Sequence, residues 1–483
     1  MGLFGIVIAL GLLSWLSYRG WSVLLLAPGA ALVAAAFAGE PLLAHWTQTF
    51  MGSASSFLAQ FFPLFLLGAL FGKLMEDTGS VSAIARYMTG RLGKQRAVLA
   101  VVLAGALVTY GGVSLFVAVF VLAPMAQALF REAGIPRRLM PAAIALGTST
   151  FTMTALPGTP AIQNAIPMPF FGTTPFAAPG LGIIASVIML AFGLWWLART
   201  EAAARASGEG FGADTPAARD PAESLIVRER ATTAREFDPA EIEQGLQSPV
   251  PPPVGLAVLP LVVVVGTNLL MSIFIFPRLD FSFLAEERWG ATSLAAVGGV
   301  WSVVVALIAA IIALLIISGR RLPTPRETID AGANASVLPV LSVASLVGFG
   351  AVVAALPAFE AVREWVLSIQ GGPLVSLAVS TNVLAALTGS ASGGLTIALD
   401  ALAEIYMQLA RTLNIDPALM HRVAVIGAGT LDSLPHNGAV VTMLAVCGST
   451  HRESYFDIVM VAIVGAIIAL VCVIALGSLF GSF

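Results

Sequence analysis

The stretch that decides the fold reads ALVTYGGVSLFVAVF at residues 106–120 and GIPRRLMPAAIALGTSTFTMTALPGTP at 134–160. A similar passage returns in the second half, as ALTGSASGGLTIALD at 386–400 and NIDPALMHRVAVIGAGTLDSLPHNG at 414–438. Each passage has an apolar run interrupted by a glycine pair, then a proline turn, then a second apolar run interrupted at Leu-Pro. The matching positions are Gly111-Gly112 with Gly393-Gly394, Pro136 with Pro417, and Leu156-Pro157 with Leu434-Pro435. In a membrane protein, matched interruptions in two halves of the chain point to the substrate site of a transporter.

The composition predicts an all-α polytopic membrane protein. The chain has 483 residues, of which 58% are hydrophobic and 11% are charged, and its mean hydropathy is +0.92. A soluble protein could not bury that much apolar surface. Because a span needs about 20 apolar residues, we predict ten spans: 3–18, 20–38, 54–75, 138–156, 176–198, 253–276, 293–318, 331–357, 418–446 and 456–481.

Two further apolar stretches, 97–130 and 373–410, are much longer than one span, and each has a glycine pair near its middle. Each could be one long tilted helix, or two spans with a minimal loop. The flanking charges favour a third interpretation, a re-entrant helical hairpin that enters and leaves on one side. By the positive-inside rule both ends of the first stretch are cytoplasmic, since they carry Lys94, Arg96, Arg131, Arg137 and Arg138.

Ten spans and two re-entrant hairpins place both termini outside, in the periplasm of a bacterial cell. The cytoplasmic side then holds nineteen Lys and Arg residues and the outside five, a strong positive-inside bias. The cations that touch a span (Lys73, Arg138 and Arg422) are expected to snorkel, which leaves no cation deep in a span to clamp a carboxylate. Each half has five spans and one hairpin, and five is odd, so the second copy is inserted upside down. The predicted architecture is an inverted repeat.

Residues 199–252 are the one sizeable polar segment, which predicts a cytoplasmic linker that is partly helical and mobile. The apolar run 3–18 lacks a basic region and a convincing cleavage site, so we interpret it as a retained span. Cys447 and Cys472 lie in apolar runs and indicate neither a disulfide framework nor a metal site. No cofactor and no nucleic-acid partner is predicted.

Backbone that leaves helical geometry at membrane depth must line a cavity or be buried in protein. The two glycine turns and the two Leu-Pro breaks are therefore predicted to converge. Helices that restart after a break direct N–H groups and a positive dipole end at the site, which suits an anion. One hydroxyl alone would be explained by a hydrogen bond to the preceding turn, so the prediction depends on clustering. The predicted substrate-binding residues are Gly111, Gly112, Val113, Ser114, Thr154, Gly158, Thr159, Thr388, Ser390, Ser392, Gly393, Gly394, Ser433, His436 and Asn437.

Asp432 and His436 stand on either side of the second Leu-Pro break. Ionisable residues at membrane depth are functional candidates, and histidine titrates near neutral pH. The pair is predicted to bind a coupled proton, against the simpler interpretation that Asp432 caps a helix and His436 is a satisfied polar residue. Asp400 and Glu404, four residues apart on the returning arm of the second hairpin, are the second choice for proton coupling.

Six segments together resemble the gluconate:proton symporter (GntP) family of the ion transporter superfamily. They are GGVSLFVAVFVLAPMA (111–126), TALPGTPAIQNAIP (154–167), FFGTTPFAAPGLGIIAS (170–186), TGSASGGLTIAL (388–399), TLDSLPHNGAVVTMLAVCG (430–448) and THRESYFDI (450–458). The resemblance covers nearly the whole chain. It is greatest to members that carry short hydroxyacids such as 3-hydroxybutyrate.

This resemblance implies a homodimeric proton symporter of a small hydroxylated monocarboxylate, gluconate-like or 3-hydroxybutyrate-like, that works by elevator motion. Residues 1–93 and 253–371 would form the scaffold. Residues 94–198 and 372–483 would form the moving transport domain, joined by the linker 199–252. Sodium–dicarboxylate members of the superfamily carry Ser-Asn-Thr at their hairpin tips, whereas this chain has glycine and serine at 111–114 and 389–394. That departure favours protons over sodium.

Sodium coupling and a dicarboxylate substrate are the alternatives within transport. A membrane-embedded enzyme, such as a protease or a transferase, is the alternative from another class. The chain has no HExxH or GxSxG motif, no paired aspartates on facing spans and no acidic metal cluster, so no enzyme activity and no metal site is predicted. The expected partners are a small carboxylate, protons, the lipid bilayer and a second copy of the chain.

Overall fold

The computed structural model describes residues 2–19, 21–212, 245–435 and 437–483. Over these ranges the chain forms helices and connecting loops, and none of them contains a β-strand. The prediction of an all-α membrane protein is confirmed. His436 and the middle of the predicted linker, 213–244, lie outside the described residues.

The first half contains three apolar helices, a hairpin and a broken helix. The apolar helices are Gly2–Tyr18, Val23–Ala38 and Leu42–Asp77, and a short helix, Ser80–Leu92, follows them. The first hairpin comprises Ala97–Tyr110 and Leu115–Ala133. The helices after the hairpin are Met140–Thr148, Phe151–Thr154, Ile162–Ala165, Pro167–Phe171 and Pro179–Ala206, and 3₁₀ turns occur at Lys94–Arg96 and Arg137–Leu139.

The second half has the same order of elements. It starts with Val254–Arg278, Leu294–Ser318 and the consecutive helices Pro325–Asn334 and Val337–Ala355. A short helix, Phe359–Leu367, precedes the second hairpin. The second hairpin and the helices after it are Gly372–Thr388, Ala391–Leu413, Pro417–Thr430, Gly438–Val446 and His451–Phe480, with 3₁₀ turns at Ser282–Ala285, Glu287–Trp289, Gly319–Arg321 and Leu431–Ser433.

By length and composition, fewer helices could cross a membrane than the ten spans predicted. Among the described residues six qualify: Leu42–Asp77, Pro179–Ala206, Val254–Arg278, Leu294–Arg321, Pro325–Ala355 and His451–Phe480. The pair Ser80–Leu92 and Lys94–Tyr110, bent by 102°, would be a seventh. The predicted first two spans are apolar helices shorter than about 20 residues. The predicted fourth and ninth spans are divided into short helices, because the backbone breaks after Thr148 in the first half and around Leu434-Pro435 in the second.

Other element boundaries also differ from the prediction. The third helix begins at Leu42 rather than at residue 54, and the helix of the predicted eighth span begins at Pro325 rather than at residue 331, with a short turn between Asn334 and Val337. The sequence does not predict the helices Ser80–Leu92 and Phe359–Leu367. Each has a polar face, so neither forms the continuous apolar run by which spans are found. The helix Pro179–Ala206 continues into the predicted linker, which is helical to that extent.

Equivalent helices pack together in the two halves. The first arm of each hairpin packs against the broken helix that follows it, as Ala97–Tyr110 does on Met140–Thr148 and Gly372–Thr388 does on Pro417–Thr430. Glycine permits this close approach, since a Cβ on Gly147 would overlap the Val102 carbonyl. The largest hydrophobic core therefore includes both hairpins and both broken helices.

Candidate substrate-binding site

The first hairpin turns at Gly111-Gly112, as predicted. Gly112 has a φ of 96°, which glycine adopts without strain. A Cβ on Gly111 would overlap the side chain of Leu261, from the second half of the chain. The Tyr110 hydroxyl donates to the Pro157 carbonyl at 2.8 Å. The turn is thereby attached to the first Leu-Pro break.

The second hairpin turns at Gly389, the first residue of the predicted tip 389–394, and the glycine pair Gly393-Gly394 within that tip is helical. Gly389 has a φ of 64°, and the Ser390 Oγ caps the returning helix by accepting a hydrogen bond from the Gly393 N–H at 3.2 Å. Gly393 and Gly394 lie in the first turn of that helix. A Cβ on Gly394 would overlap the backbone of Ala385 in the other arm. The glycine pair therefore serves the close packing of the two arms.

The first broken helix ends at Thr148, earlier than the predicted break at Leu156-Pro157. The chain then forms only short helices, and the amide side chain of Asn164 holds the segments between them. Asn164 Nδ2 donates to the carbonyls of Thr159 and Pro175, both at 3.1 Å. The Gly158 N–H donates to the same Pro175 carbonyl at 2.9 Å. Gly158 and Thr159 thus hold the fold of the break.

Asn437 joins three parts of the second half. Its Oδ1 accepts from the N–H groups of Ala439 and Val440, at 2.7 and 3.3 Å, and so caps the helix that follows the break. Its Nδ2 donates to Asp432 Oδ1 at 2.8 Å and to the Gly389 carbonyl at 2.9 Å. One amide therefore connects the second break, the predicted proton acceptor and the turn of the second hairpin.

A cavity of about 230 Å³ lies where the hairpin turns and the breaks meet. One wall comes from the hairpins and the broken helices, through Thr109, 112–115, Met153, 160–163, 388–390, Ser392 and Gly438. The facing wall comes from the other helices, through Val23, Leu64, Phe65, Gly68, Ala69, Ala335, Ser336, Pro339, Ser342, Val343 and Leu346. Residues of both hairpin turns and residues that follow both breaks therefore line one cavity.

The cavity lining has no charged side chain among these residues. On the wall formed by the hairpins and the broken helices, three helices of nine or more residues begin, since that wall includes Leu115 and Gly438, each the first residue of a helix, and Ser390, the N-cap of another. Two residues of the lining, Gln163 and Ser342, each have one buried polar atom without a hydrogen-bond partner, Oε1 and Oγ respectively. The site thus offers positive helix ends and polar groups, with no fixed charge.

A second, smaller cavity of about 20 Å³ lies beside the first. Among the described residues of its lining, Asp432 is the one with a charged side chain. Leu115, Met153 and Gln163 line both cavities. These three side chains therefore separate the large cavity from the space next to Asp432.

The predicted site residues fall into four groups. Gly112, Val113, Ser114, Thr388, Ser390 and Ser392 line the large cavity. Thr154, Asp432, Ser433 and Asn437 line the small one. Five predicted residues line neither cavity and instead shape the backbone of the turns and breaks: Gly111, Gly158, Thr159, Gly393 and Gly394. His436 lies outside the described residues.

Asp400 and Glu404, the second choice for proton coupling, lie elsewhere. They line a separate cavity of about 480 Å³, together with Glu360 and Arg363. Asp400 Oδ2 accepts a hydrogen bond from Ser53 Oγ at 3.3 Å. Neither carboxylate lines a cavity with Asp432.

Two of the three cations that were expected to snorkel are buried instead. Lys73 is 1% exposed and pairs with Asp77 at 3.0 Å. Arg422 is fully buried, and its guanidinium donates to the carbonyls of Ala177 at 2.7 Å and Thr154 at 3.1 Å. Carbonyl groups freed by the first break need donors, and Arg422 supplies them from the second half.

The remaining Cys, His, Asp and Glu side chains show no metal site in the described ranges, where no group of three or more is placed to hold an ion. Cys447 is buried, Cys472 is half-buried, and both are free thiols.

Several apolar helices of membrane length, around a cavity formed by hairpin turns and broken helices, define a multi-pass membrane transporter. Comparison with known proteins agrees. The family model described as GntP family permease matches residues 3–173. A protein of Bacillus subtilis (strain 168) named "Uncharacterized transporter YxjC" is 41% identical over 488 residues, which cover 100% of each chain. The chain belongs to the GntP permease family, and it is a transporter rather than an enzyme.

A solved structure shares the fold. It is that of Neisseria gonorrhoeae MtrF, reported to illuminate a class of antimetabolite efflux pumps, and it matches with a TM-score of 0.53. The match covers 91% of this chain and 85% of that chain, at 15% sequence identity. At this identity the likeness concerns the fold alone.

Proposed function

We propose that the chain is a proton-coupled symporter that carries a small hydroxylated monocarboxylate across the bacterial inner membrane. The observation that carries this proposal is a cavity with no charged side chain in its described lining, at which two helices of the hairpins and the helix after the second break begin. Helix N-termini attract anions through the helix dipole and through the N–H groups that no side-chain cap occupies. Because no fixed cation lines the cavity, a single carboxylate would be held with moderate affinity, which allows its release.

The lining also supports the size and character of the substrate. Hydroxyl and amide groups of Ser390, Ser392 and Gln163 share the cavity with apolar side chains such as Phe65 and Leu346. A short hydroxyacid presents a carboxylate, a hydroxyl and a hydrocarbon part to these surfaces. A sugar acid such as gluconate would place several hydroxyls against the apolar wall without partners, at a cost. The lining therefore favours a 3-hydroxybutyrate-like acid.

Proton coupling is proposed at Asp432, with His436 as its partner on the sequence evidence. The small cavity beside Asp432 has room for one water molecule, which needs at least about 10–15 Å³. An ionised carboxylate accepts a stronger hydrogen bond than a neutral one. Protonation of Asp432 would therefore weaken its bond from Asn437, the side chain that also holds the Gly389 carbonyl at 2.9 Å. In this way protonation of Asp432 would change how firmly the turn of the second hairpin is held.

We further propose an elevator mechanism in a homodimer built as an inverted repeat. The two walls of the cavity support the division of labour. One wall comes only from 94–198 and 372–483, the proposed transport domain, and the other only from 1–93 and 253–371, the proposed scaffold. The repeated order of elements supports the repeat. Both termini are proposed to be periplasmic, and the linker 199–252 cytoplasmic.

Uptake into proteoliposomes tests the function. Labelled 3-hydroxybutyrate should accumulate unchanged when the outside is made acidic, with sodium equal on both sides. Replacing sodium by potassium should leave the rate unaltered. A rate that collapses without sodium would support the sodium-coupled alternative, and chemical change of the solute would contradict transport itself.

A further inference from the structure

Two side chains of the last helix hold the second Leu-Pro break. His451 Nε2 donates to the Pro435 carbonyl at 2.8 Å, and the Tyr455 hydroxyl donates to the Ser433 carbonyl at 3.2 Å. Because a carbonyl can only accept, Nε2 of His451 carries a hydrogen. The two donors are four residues apart and so lie on one face of their helix. They therefore fix the backbone on both sides of Leu434.

The end of the helix that carries these donors is itself fixed. The Thr450 N–H donates to the Glu453 carboxylate at 3.1 Å, which closes the first turn. One turn further on, the buried carboxylate of Asp457 accepts from Trp196 Nε1 at 2.9 Å and from Arg138 Nη1 at 3.0 Å. These last two partners belong to the first half of the chain. Side chains on such a support are preorganised for their contacts.

The carbonyls that these donors hold adjoin the proposed proton site. Ser433 follows Asp432 in the chain and lines the same small cavity. The Leu434 carbonyl, between the two held carbonyls, accepts from the Asn437 N–H at 2.9 Å. The Asn437 side chain in turn donates to Asp432 at 2.8 Å. Three successive carbonyls thus have a donor each, and a shift of this backbone would move both partners of the bond between Asp432 and Asn437.

The first break is held in a matching way, but in different surroundings. Its proline carbonyl, that of Pro157, accepts from the Tyr110 hydroxyl at 2.8 Å. Pro157 and Tyr110 are half-buried, whereas Pro435 and His451 are exposed. Residues 150–159 contain no ionisable side chain, whereas the second break has an aspartate. Of the two breaks, the second therefore combines an acidic side chain with contact to water.

We infer that His451 and Tyr455 are positioning residues for proton coupling, which hold the second break so that Asp432 exchanges its proton only together with substrate. Neither side chain lines the large or the small cavity, so both act through the backbone of the break. Loss of either donor would release this backbone, and the protein would then move substrate without a proton. The inference rests on the proposed function and assigns residues on which its coupling depends.

The test measures steady accumulation of labelled 3-hydroxybutyrate in proteoliposomes under a gradient of one pH unit. The accumulation ratio depends on coupling and not on how many molecules are folded, so a variant that is merely less stable keeps it. The wild type should accumulate about tenfold. Tyr455→Phe removes the hydroxyl alone and should lower the ratio by about threefold or more, since one hydrogen bond shifts an equilibrium by about that factor. Its exchange of labelled for unlabelled substrate at equal pH should continue.

Two variants of His451 and one control complete the set. His451→Leu should also lower the ratio, but by less, because water can reach the exposed Pro435 and replace the lost donor. His451→Gln can place an N–H where Nε2 stood, so it should keep the wild-type ratio. Tyr87→Phe, which removes a hydroxyl at an exposed position, is the matched control and should also keep it.

An unchanged ratio in Tyr455→Phe or in His451→Leu would overturn the role given to that residue. An equal loss in His451→Leu and His451→Gln would also contradict the inference, because the N–H donor would then not be what matters. Loss of exchange together with accumulation in Tyr455→Phe would mean that the hydroxyl serves substrate movement itself and not coupling. If the wild type did not accumulate the acid, the proposed function itself would fail.

Discussion

Replacing Asp432 by Asn should remove the proton from the transport cycle and leave the binding site standing. Asn has nearly the same shape, and its Oδ1 can still accept the hydrogen bond that Asn437 Nδ2 gives Asp432 at 2.8 Å. The cap on the following helix and the bond to Gly389 are made by other atoms of Asn437 or by its second N–H. What changes is that position 432 can no longer gain and lose a charge.

The size of the effect follows from the number of carboxylates at the site. Among the described residues that line the two cavities, Asp432 is the one that is acidic, so we expect one proton per substrate. Symport of one monocarboxylate anion with one proton moves no net charge, and the membrane potential then contributes nothing. A pH difference of one unit is worth about 1.4 kcal/mol per proton, a factor of ten in concentration. The wild type should therefore accumulate substrate about tenfold, and Asp432→Asn should reach a ratio of about one.

Two assays on the same proteoliposomes separate coupling from binding. The first measures steady accumulation of labelled substrate under an imposed gradient of one pH unit, and the second measures exchange of labelled for unlabelled substrate at equal pH. Asp432→Asn should fail in the first and continue in the second. Asp400→Asn and Glu404→Gln, in their separate cavity, should behave like the wild type. Tenfold accumulation by Asp432→Asn would refute the reasoning, and failure of His436→Gln in its place would move the coupling to that residue.

Three further predictions concern packing and topology. Gly394→Ala should lower stability by about 1–3 kcal/mol through overpacking against Ala385, seen as a lower melting temperature in detergent, whereas Gly255→Ala, which meets no atom within 4 Å, should not. Arg422→Gln should destabilise more, because the buried carbonyls of Ala177 and Thr154 lose donors at about 1–3 kcal/mol each; the exposed Arg411→Gln is its control, and equal melting temperatures would contradict the role given to Arg422. Two exposed serines test the topology. In a chain without Cys447 and Cys472, Ser207→Cys should resist an impermeant thiol reagent added to intact cells, and Ser282→Cys should react with it. The reverse labelling pattern would mean that the proposed topology is inverted.

The hairpins show what the sequence can predict of this fold. Both glycine pairs interrupt long apolar runs, and the first pair is indeed a turn. The second pair serves arm packing, and Gly389 makes the turn with a φ of 64°. Close packing and positive φ both require the absence of a side chain, so the sequence alone cannot assign a glycine to one or the other. The short helices before each hairpin escaped prediction because their stability comes from one apolar face and not from a continuous apolar run.

The site was predictable where the chain breaks and not where separate helices meet. Hydroxyl residues and Asn437 stand beside interruptions that are visible in the sequence. Gln163 follows the first break within a few residues. The polar pair Gln163-Asn164 in an apolar segment was a usable signal, but the prediction considered mainly serine and threonine residues. Ser342 gave no such signal, because its position in the cavity depends on how Val337–Ala355 packs. Arg422 was misjudged for the same reason, since its partners lie in the other half of the chain.

The use made of Arg422 bears on how the proposed transporter could release its substrate. A guanidinium in the lining would bind a carboxylate through two charge-assisted hydrogen bonds, which are among the strongest available. Here that guanidinium donates to backbone carbonyls at 2.7 and 3.1 Å and does not line the cavity. Its charge therefore stabilises the backbone at the first break. The carboxylate of the proposed substrate would be bound by helix ends and hydroxyl groups instead. Helix ends and hydroxyls would bind the carboxylate more weakly than a guanidinium. Protonation of the nearby Asp432 would then change the binding free energy of the substrate by a large fraction of its total. Such a dependence of one binding event on the other is what coupling requires.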